Sequence, residues 1–205
     1  MNQLHLTPIV KNLIIINVLV FIASQVLSSV DWVIFTLSFP TTADFRPFQF
    51  ITSLFMHADI MHIFMNMFGL AVFGPLLEMV WQGRRFFVYY LICGIGANLL
   101  YTLWAWFLWA KMGNTEPHYH LLGASAALYG VLLGGAMVFP NMEIRMLFFP
   151  TPIKARYMVF IWIGIELASG IGHVAGDNTA HIAHLCGMLV GFLVLQYWRF
   201  FGTTL

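Results

Sequence analysis

Two groups in this sequence are suited to nucleophilic chemistry: a serine among small residues, Gly123-Ala124-Ser125-Ala126, and a histidine in a later apolar run, His184. A serine hydroxyl attacks a carbonyl only when a base takes its proton, and neutral imidazole does this near neutral pH. His62 and Asn66 lie four residues apart, on one face of a helix. Both donate hydrogen bonds, and the tetrahedral intermediate of acyl transfer needs donors for its oxyanion. The Ser125 backbone N–H is a further donor, strengthened by the positive end of a helix that begins near it. Gly123 permits close approach to the backbone just ahead of the serine. Tyr129, four residues after Ser125, shares its face and is placed to support a facing ring. Each group also has an ordinary reading. Ser125 could be a small residue at a close helix contact, Asn66 interhelical glue and Tyr129 a packing aromatic. His184 is harder to explain that way, because ionisable groups within membrane helices are rare and functional by default. Cys186 is an alternative nucleophile, but it lies two residues from His184 and points elsewhere on the helix. With no acidic residue obviously placed behind His184, the reading is a Ser125–His184 dyad rather than a triad.

The elements that carry these groups are apolar. The chain has 205 residues, 60% hydrophobic and 8% charged, with a mean hydropathy of +0.84. A soluble domain would carry roughly 25% charged residues. Segments of about 20 apolar residues, enough to cross a bilayer, recur at 9–29, 60–80, 86–110, 121–139, 155–173 and 179–198. The expected fold is therefore all-α: a polytopic bundle of six transmembrane helices forming a single domain over 1–205. Glu166, His181 and His184 interrupt the last two spans. Lys11 precedes "NLIIINVLVFIASQ", as in a cleavable leader, but the apolar stretch reaches Leu27. That exceeds a leader's core of about 7–15 residues, and the segment reads as a helix. A net charge of +1 argues against nucleic acid as a partner. Cys93 and Cys186 both lie in apolar runs and form no disulfide framework.

Charge placement orients the bundle. With six spans, both termini share a side with Lys11, Arg84, Arg85, Arg145, Lys154, Arg156 and Arg199, leaving Arg46 and Lys111 on the other. This bias predicts that both termini are cytoplasmic. Helices 2, 4 and 6 then run inward. They end near Val80 before "WQGRR", at Phe139 before the helix-breaking Pro140, and near Trp198 in the interfacial "QYWR". Counting 15 residues back from each end, about 22 Å of helix, reaches Asn66, Ser125 and His184. In a hydrocarbon core about 30 Å thick, all three sit roughly 8 Å below the outer edge. Unrelated packing residues would not be expected to share one depth.

Three motifs then carry a family resemblance: "HADIMHIFMN" (57–66), "GASA" (123–126) and "AHLCG" (183–187) with Gly191 four residues on. In this order, on the second, fourth and sixth helices, they resemble the motifs of the rhomboid family of intramembrane serine proteases across nearly the whole chain. The resemblance is to the minimal six-helix, bacterial-type form, without an added helix or soluble domain. It implies Ser125 as nucleophile, His184 as general base, His62 and Asn66 as oxyanion donors, and Tyr129 as a ring packed near His184. It implies no cofactor and no metal. Its substrates would be single-pass transmembrane proteins in the lipid bilayer, cleaved near the outer end of their helix, and its location a bacterial inner (plasma) membrane. Of the two Ala-His pairs, only His184 has glycines at +3 and +7; His181 falls about one turn higher, roughly 4.5 Å, near the cavity mouth. Where the family usually has Trp-Arg, this chain has Phe45-Arg46. Glu78, in "GPLLE", is expected to be structural. "SGIGHVAGDNTA" (169–180) is expected to be a mobile cap over a water-filled cavity. Glu166 is left between packing and tuning a gate. The rival readings are a metal site of His57, His62, His181 and His184, a transporter with polar groups at the midplane, and a catalytically inactive rhomboid-like binding protein.

Overall fold

An apolar chain in a bilayer must satisfy its backbone internally, and helices do this segment by segment. The computed structural model describes residues 5–27, 30–112, 117, 119–144, 151–171 and 178–202. Helix α1 (Pro8–Val26) starts with a proline in its first turn, where the missing N–H costs nothing. Its other first-turn donors meet Glu78. The Thr7 hydroxyl donates to Oε2, and the Ile9 and Val10 N–H groups donate to the two carboxylate oxygens at 2.9 Å. Glu78 is thus a capping residue borrowed from another helix, and its negative charge suits the positive helix end.

Between α1 and the next long helix lies a segment of short turns, including α2 (Gln49–Thr52). Gln49 organises it from within. Its Nε2 donates to the carbonyls of Ile34 (3.0 Å) and Asp44 (2.8 Å), and its Oε1 accepts from the Ser38 N–H (3.2 Å). Arg46 Nη1 donates to the carbonyls of Ala43 and Phe45 at 2.8 and 2.7 Å. The Phe48 and Ile51 side chains remain exposed.

The spans expected at 60–80 and 86–110 form one element, α3 (Ile60–Met112), broken at Gln82, where φ is 66° and ψ 158°. Helical hydrogen bonding resumes so soon after the break that no linker separates the arms, 60–81 and 83–112. Phe86 lies against Gly74, so the second arm folds back along the first. Helix α4 (Ser125–Val138) has 14 residues, ten of them buried, at the centre of the bundle. The span expected from 121 starts later because residue 121 is committed elsewhere: Leu121 and Leu37 exchange backbone hydrogen bonds of 2.8 and 2.9 Å. A short antiparallel pair, β1 (Glu143–Ile144) with β2 (Ile153–Lys154), leads to α5 (Ala155–Ile171) and α6 (Asn178–Phe200). Half of the expected cap, residues 172–177, lies outside the described residues.

The core joins α1, α3, α4 and α6 around Leu70, Leu77, Phe86, Tyr89, Val131 and Leu195. The outer faces carry exposed Leu19, Phe64, Leu103 and Phe160, an apolar belt suited to lipid rather than water. By length and composition, Pro8–Val26, Ile60–Lys111 and His181–Phe200 are each able to cross a membrane. The protein is an integral membrane protein built as a helical bundle.

Helices α4 and α6 touch backbone to backbone. A Cβ at Gly187 would stand 2.0 Å from the Ala126 carbonyl oxygen and 2.8 Å from its carbon. Backbone atoms cannot rotate aside, so Gly187→Ala must push the helices apart. The expected cost is about 2 kcal/mol or more, read as a lowered unfolding midpoint in detergent. Gly164→Ala, where a Cβ meets nothing within 4 Å, should leave the midpoint unchanged or raise it slightly.

Candidate active site

Ser125 is the first residue of α4. Two constraints set that start: the Leu37–Leu121 pairing, and a hydrogen bond from the Gly123 N–H to the Ser53 carbonyl at 2.9 Å. Gly123 itself adopts φ +118°, which disfavours any residue with a Cβ. A 14-residue helix measures about 21 Å, short of the roughly 30 Å of a hydrocarbon core. The serine and the unpaired first-turn N–H groups of α4 therefore lie within the bundle rather than at its edge.

His184 on α6 faces it, with Nε2 2.8 Å from Ser125 Oγ. The Tyr129 ring stacks on the imidazole, with centroids 4.2 Å apart and planes within 9°. Behind His184 stands a group that the sequence reading did not place there. Glu166 Oε1 is 3.2 Å from His184 Nδ1 and accepts a hydrogen bond from the Tyr129 hydroxyl. Its Oε2 is 2.6 Å from His181 Nδ1. The expectation that no acidic residue backs the histidine is thus corrected. Glu166 comes from α5, and its pairing with α6 depends on how the two helices rotate against each other, which linear spacing does not reveal. The available signal was the carboxylate itself, alone in an apolar span, for which a partner should have been sought.

His62 and Asn66 complete the opposite wall. Asp59 caps the first arm of α3, its Oδ1 accepting from the His62 N–H at 2.8 Å. The Ala58 N–H donates to His62 Nδ1 at 3.4 Å, which assigns the ring proton to Nε2. That nitrogen faces Gly123, where an added Cβ would come within 2.7 Å of it. Asn66 is buried, and its Nδ2 donates to the His62 carbonyl at 2.9 Å. His57 packs edge-on against His62, with centroids 5.0 Å apart. Burial foremost, with a smaller contribution from neighbouring His62, pushes the His57 imidazole down to about 4. His57 is therefore neutral near pH 7.

Asp59, His62, Asn66, Ser125, Tyr129 and His184 all line one cavity of about 610 Å³, within the size range of small-ligand and substrate sites. Cys186 packs instead near the Phe39, Tyr101 and Ala183 cluster. Among the described residues, the histidines are not gathered as one metal set. His57 and His62 pair with each other, while the donor atoms of Glu166, His181 and His184 lie within 4.8 Å of one another. Chemically, the site offers a hydroxyl on an imidazole, a carboxylate behind that imidazole, and N–H donors across a cavity.

Comparison with known proteins agrees with this architecture. The Rhomboid domain family model matches residues 44–200. The chain is 34% identical over 152 residues to "Rhomboid protein 1, mitochondrial" of Saccharomyces cerevisiae, covering 72% of this chain and 40% of that protein. It is 33% identical over 149 residues to "RHOMBOID-like protein 6, mitochondrial" of Arabidopsis thaliana, covering 72% and 44%. To "Rhomboid protease GluP" of Bacillus subtilis it is 27% identical over 139 residues, covering 68% and 24%. The matched part thus spans less than half the length of each of these relatives. With a match that runs from the segment before α2 to the end of α6, this chain belongs to the rhomboid family.

Proposed function

We propose that this protein is an intramembrane serine protease that uses Ser125 as nucleophile and His184 as general base. The observation that carries this reading is the 2.8 Å contact between Ser125 Oγ and His184 Nε2, at the start of a buried helix and inside a cavity. His184 takes the hydroxyl proton as Oγ bonds to the scissile carbonyl carbon, and the carbonyl π pair moves onto oxygen. His62 Nε2–H, an Asn66 N–H and the Ser125 N–H stabilise that oxyanion. The protonated imidazole then gives its proton to the leaving nitrogen as the C–N bond breaks. Water repeats the sequence on the acyl-enzyme, which releases the carboxylate product and restores the serine. The polar cavity supplies this water, since polar groups at membrane depth are tolerated when buried in protein or wet.

The substrates on this reading are single-pass transmembrane proteins. Their helix enters the site sideways and unwinds locally, which helix-destabilising residues favour. The excess of Lys and Arg on one side of the bundle supports cytoplasmic termini, with the site open to the outer side of a bacterial inner membrane.

Serine-reactive fluorophosphonate tests the nucleophile. The solubilised protein should label, and Ser125→Ala should abolish both labelling and cleavage of a model membrane substrate; labelling that persists in Ser125→Ala rules the assignment out. The Glu166, His181 and His184 cluster favours one rival, a metal-dependent activity. Loss of cleavage on chelation, with Ser125→Ala still active, would establish that rival. His184→Ala should abolish cleavage while His181→Ala retains part of it, and the reverse order would show that His181 is the base. His62→Ala should lower kcat by about 10²–10³, the usual loss for one oxyanion donor, measured on folded protein.

A further inference from the structure

Of the groups that the proposed chemistry leaves unused, Glu166 has the most demanding surroundings. Its side chain is about 4% exposed, on a helix that is otherwise apolar along this stretch. Among the described residues, three groups face it: the Tyr129 hydroxyl from α4, and His181 Nδ1 and His184 Nδ1 from α6. A carboxylate kept only for the fold also needs donors, but any donors serve, as the hydroxyl and backbone groups do at Glu78. This one converges on the two helices that carry the nucleophile and the base.

We infer that Glu166 is the positioning residue for His184: it holds the imidazole with its proton on Nδ1 and its lone pair on Nε2, aimed at Ser125. This rests on the function proposed above. An ionised carboxylate only accepts hydrogen bonds, so at a 3.2 Å contact Nδ1 must be the donor. Nε2 is then the acceptor for the Ser125 hydroxyl at 2.8 Å. The opposite tautomer would set an N–H against a hydroxyl that must give up its own proton. Tyr129 reinforces the arrangement twice, by stacking on the imidazole face and by donating to Glu166 Oε1. His181 occupies Oε2 and keeps the carboxylate from rotating away.

The proton balance is closed without Glu166 changing its own state. The Ser125 proton moves to His184 Nε2 as Oγ attacks, giving an imidazolium. The imidazolium keeps Nδ1–H pointed at Glu166, whose charge stabilises it. The Nε2 proton leaves with the amine when the C–N bond breaks. In deacylation, a water proton reaches Nε2 and is returned to Ser125 Oγ. Glu166 takes no proton in either half.

The test uses the full chain in detergent, with steady-state cleavage of a model transmembrane substrate, the rate of fluorophosphonate labelling and the unfolding midpoint. Glu166→Gln keeps the size of the side chain but removes the charge that stabilises the imidazolium, and it leaves one amide oxygen for contacts that now use two. It should lower kcat by at least about 100-fold, leave KM nearly unchanged, and slow labelling of Ser125 to a similar degree. Glu166→Asp, which keeps the charge, should retain more activity than Glu166→Gln. Wild-type kcat and labelling rate in a folded Glu166→Gln would overturn the proposal. So would equal losses in Gln and Asp that track a fallen midpoint, which would mark a packing role. If the Glu166 variants do not fold, Tyr129→Phe decides. It keeps the stacked ring and removes only the hydroxyl on the carboxylate; a lower kcat at unchanged KM supports the proposal, and an unchanged kcat overturns it. Failure of the underlying reading looks different: wild-type protein would then label at a residue other than Ser125.

Discussion

The site depends on two helix backbones in contact. At Gly187 there is room for a hydrogen and nothing larger, because the Ala126 carbonyl occupies the space a Cβ would need. Ala126 follows Ser125, and Gly187 is three residues after His184, about one turn along α6. The contact therefore fixes the distance between the Ser125 and His184 side chains. A serine and an imidazole have short reach, and helices separated by ordinary side chains lie about 8–10 Å apart. The small residues "GASA" and the glycines after His184 are thus geometric requirements of a side-chain contact at 2.8 Å.

The bilayer imposes the second constraint. A charged group inside it must be paired or hydrogen-bonded, and the chain meets this in two ways with the same side-chain type. Glu78 accepts the donors at the start of α1 and ties that helix to α3. Glu166 accepts from a phenol and faces two imidazoles. The first set consists of one hydroxyl and two backbone N–H groups, and it serves the fold. The second consists of side chains of the proposed active site. Burial alone does not separate these roles, since both carboxylates are buried; the nature of the partners does.

Depth along a helix is legible in a sequence because rise per residue is constant. That is why Asn66, Ser125 and His184 could be set level before any contact was known, and the structure gathers them around one cavity. The helical fold was legible for the same reason, from runs of apolar residues. Lateral relations were not. The Glu166–His184 contact needs the relative rotation of α5 and α6, which no count along one chain supplies. The late start of α4 was hidden because Leu121 pairs with Leu37, 84 residues earlier. The break at Gln82 falls between the expected spans 60–80 and 86–110, but its form, a positive φ with no linker, was not legible at a residue that is a good helix former. Gln49 bonds three separate backbone groups, and these too are lateral relations that no local pattern announces.

These contacts close on themselves. Ser125 reaches His184, His184 reaches Glu166, and Glu166 is reached by Tyr129, which is one turn from Ser125 on the same helix. The loop begins and ends on α4 and passes through α6 and α5. A closed loop is stiffer than a chain of the same contacts, because a side chain cannot turn without breaking two of them. The Tyr129 stacking on His184 spans the loop and removes the remaining rotation of the imidazole. The i, i+4 spacing of Ser125 and Tyr129 sets their separation at roughly 5–6 Å between Cβ atoms. One turn of α4 therefore spaces both ends of the hydrogen-bonded path. A helix register, which sequence specifies directly, is converted in this way into the orientation of a ring on another helix, which sequence does not.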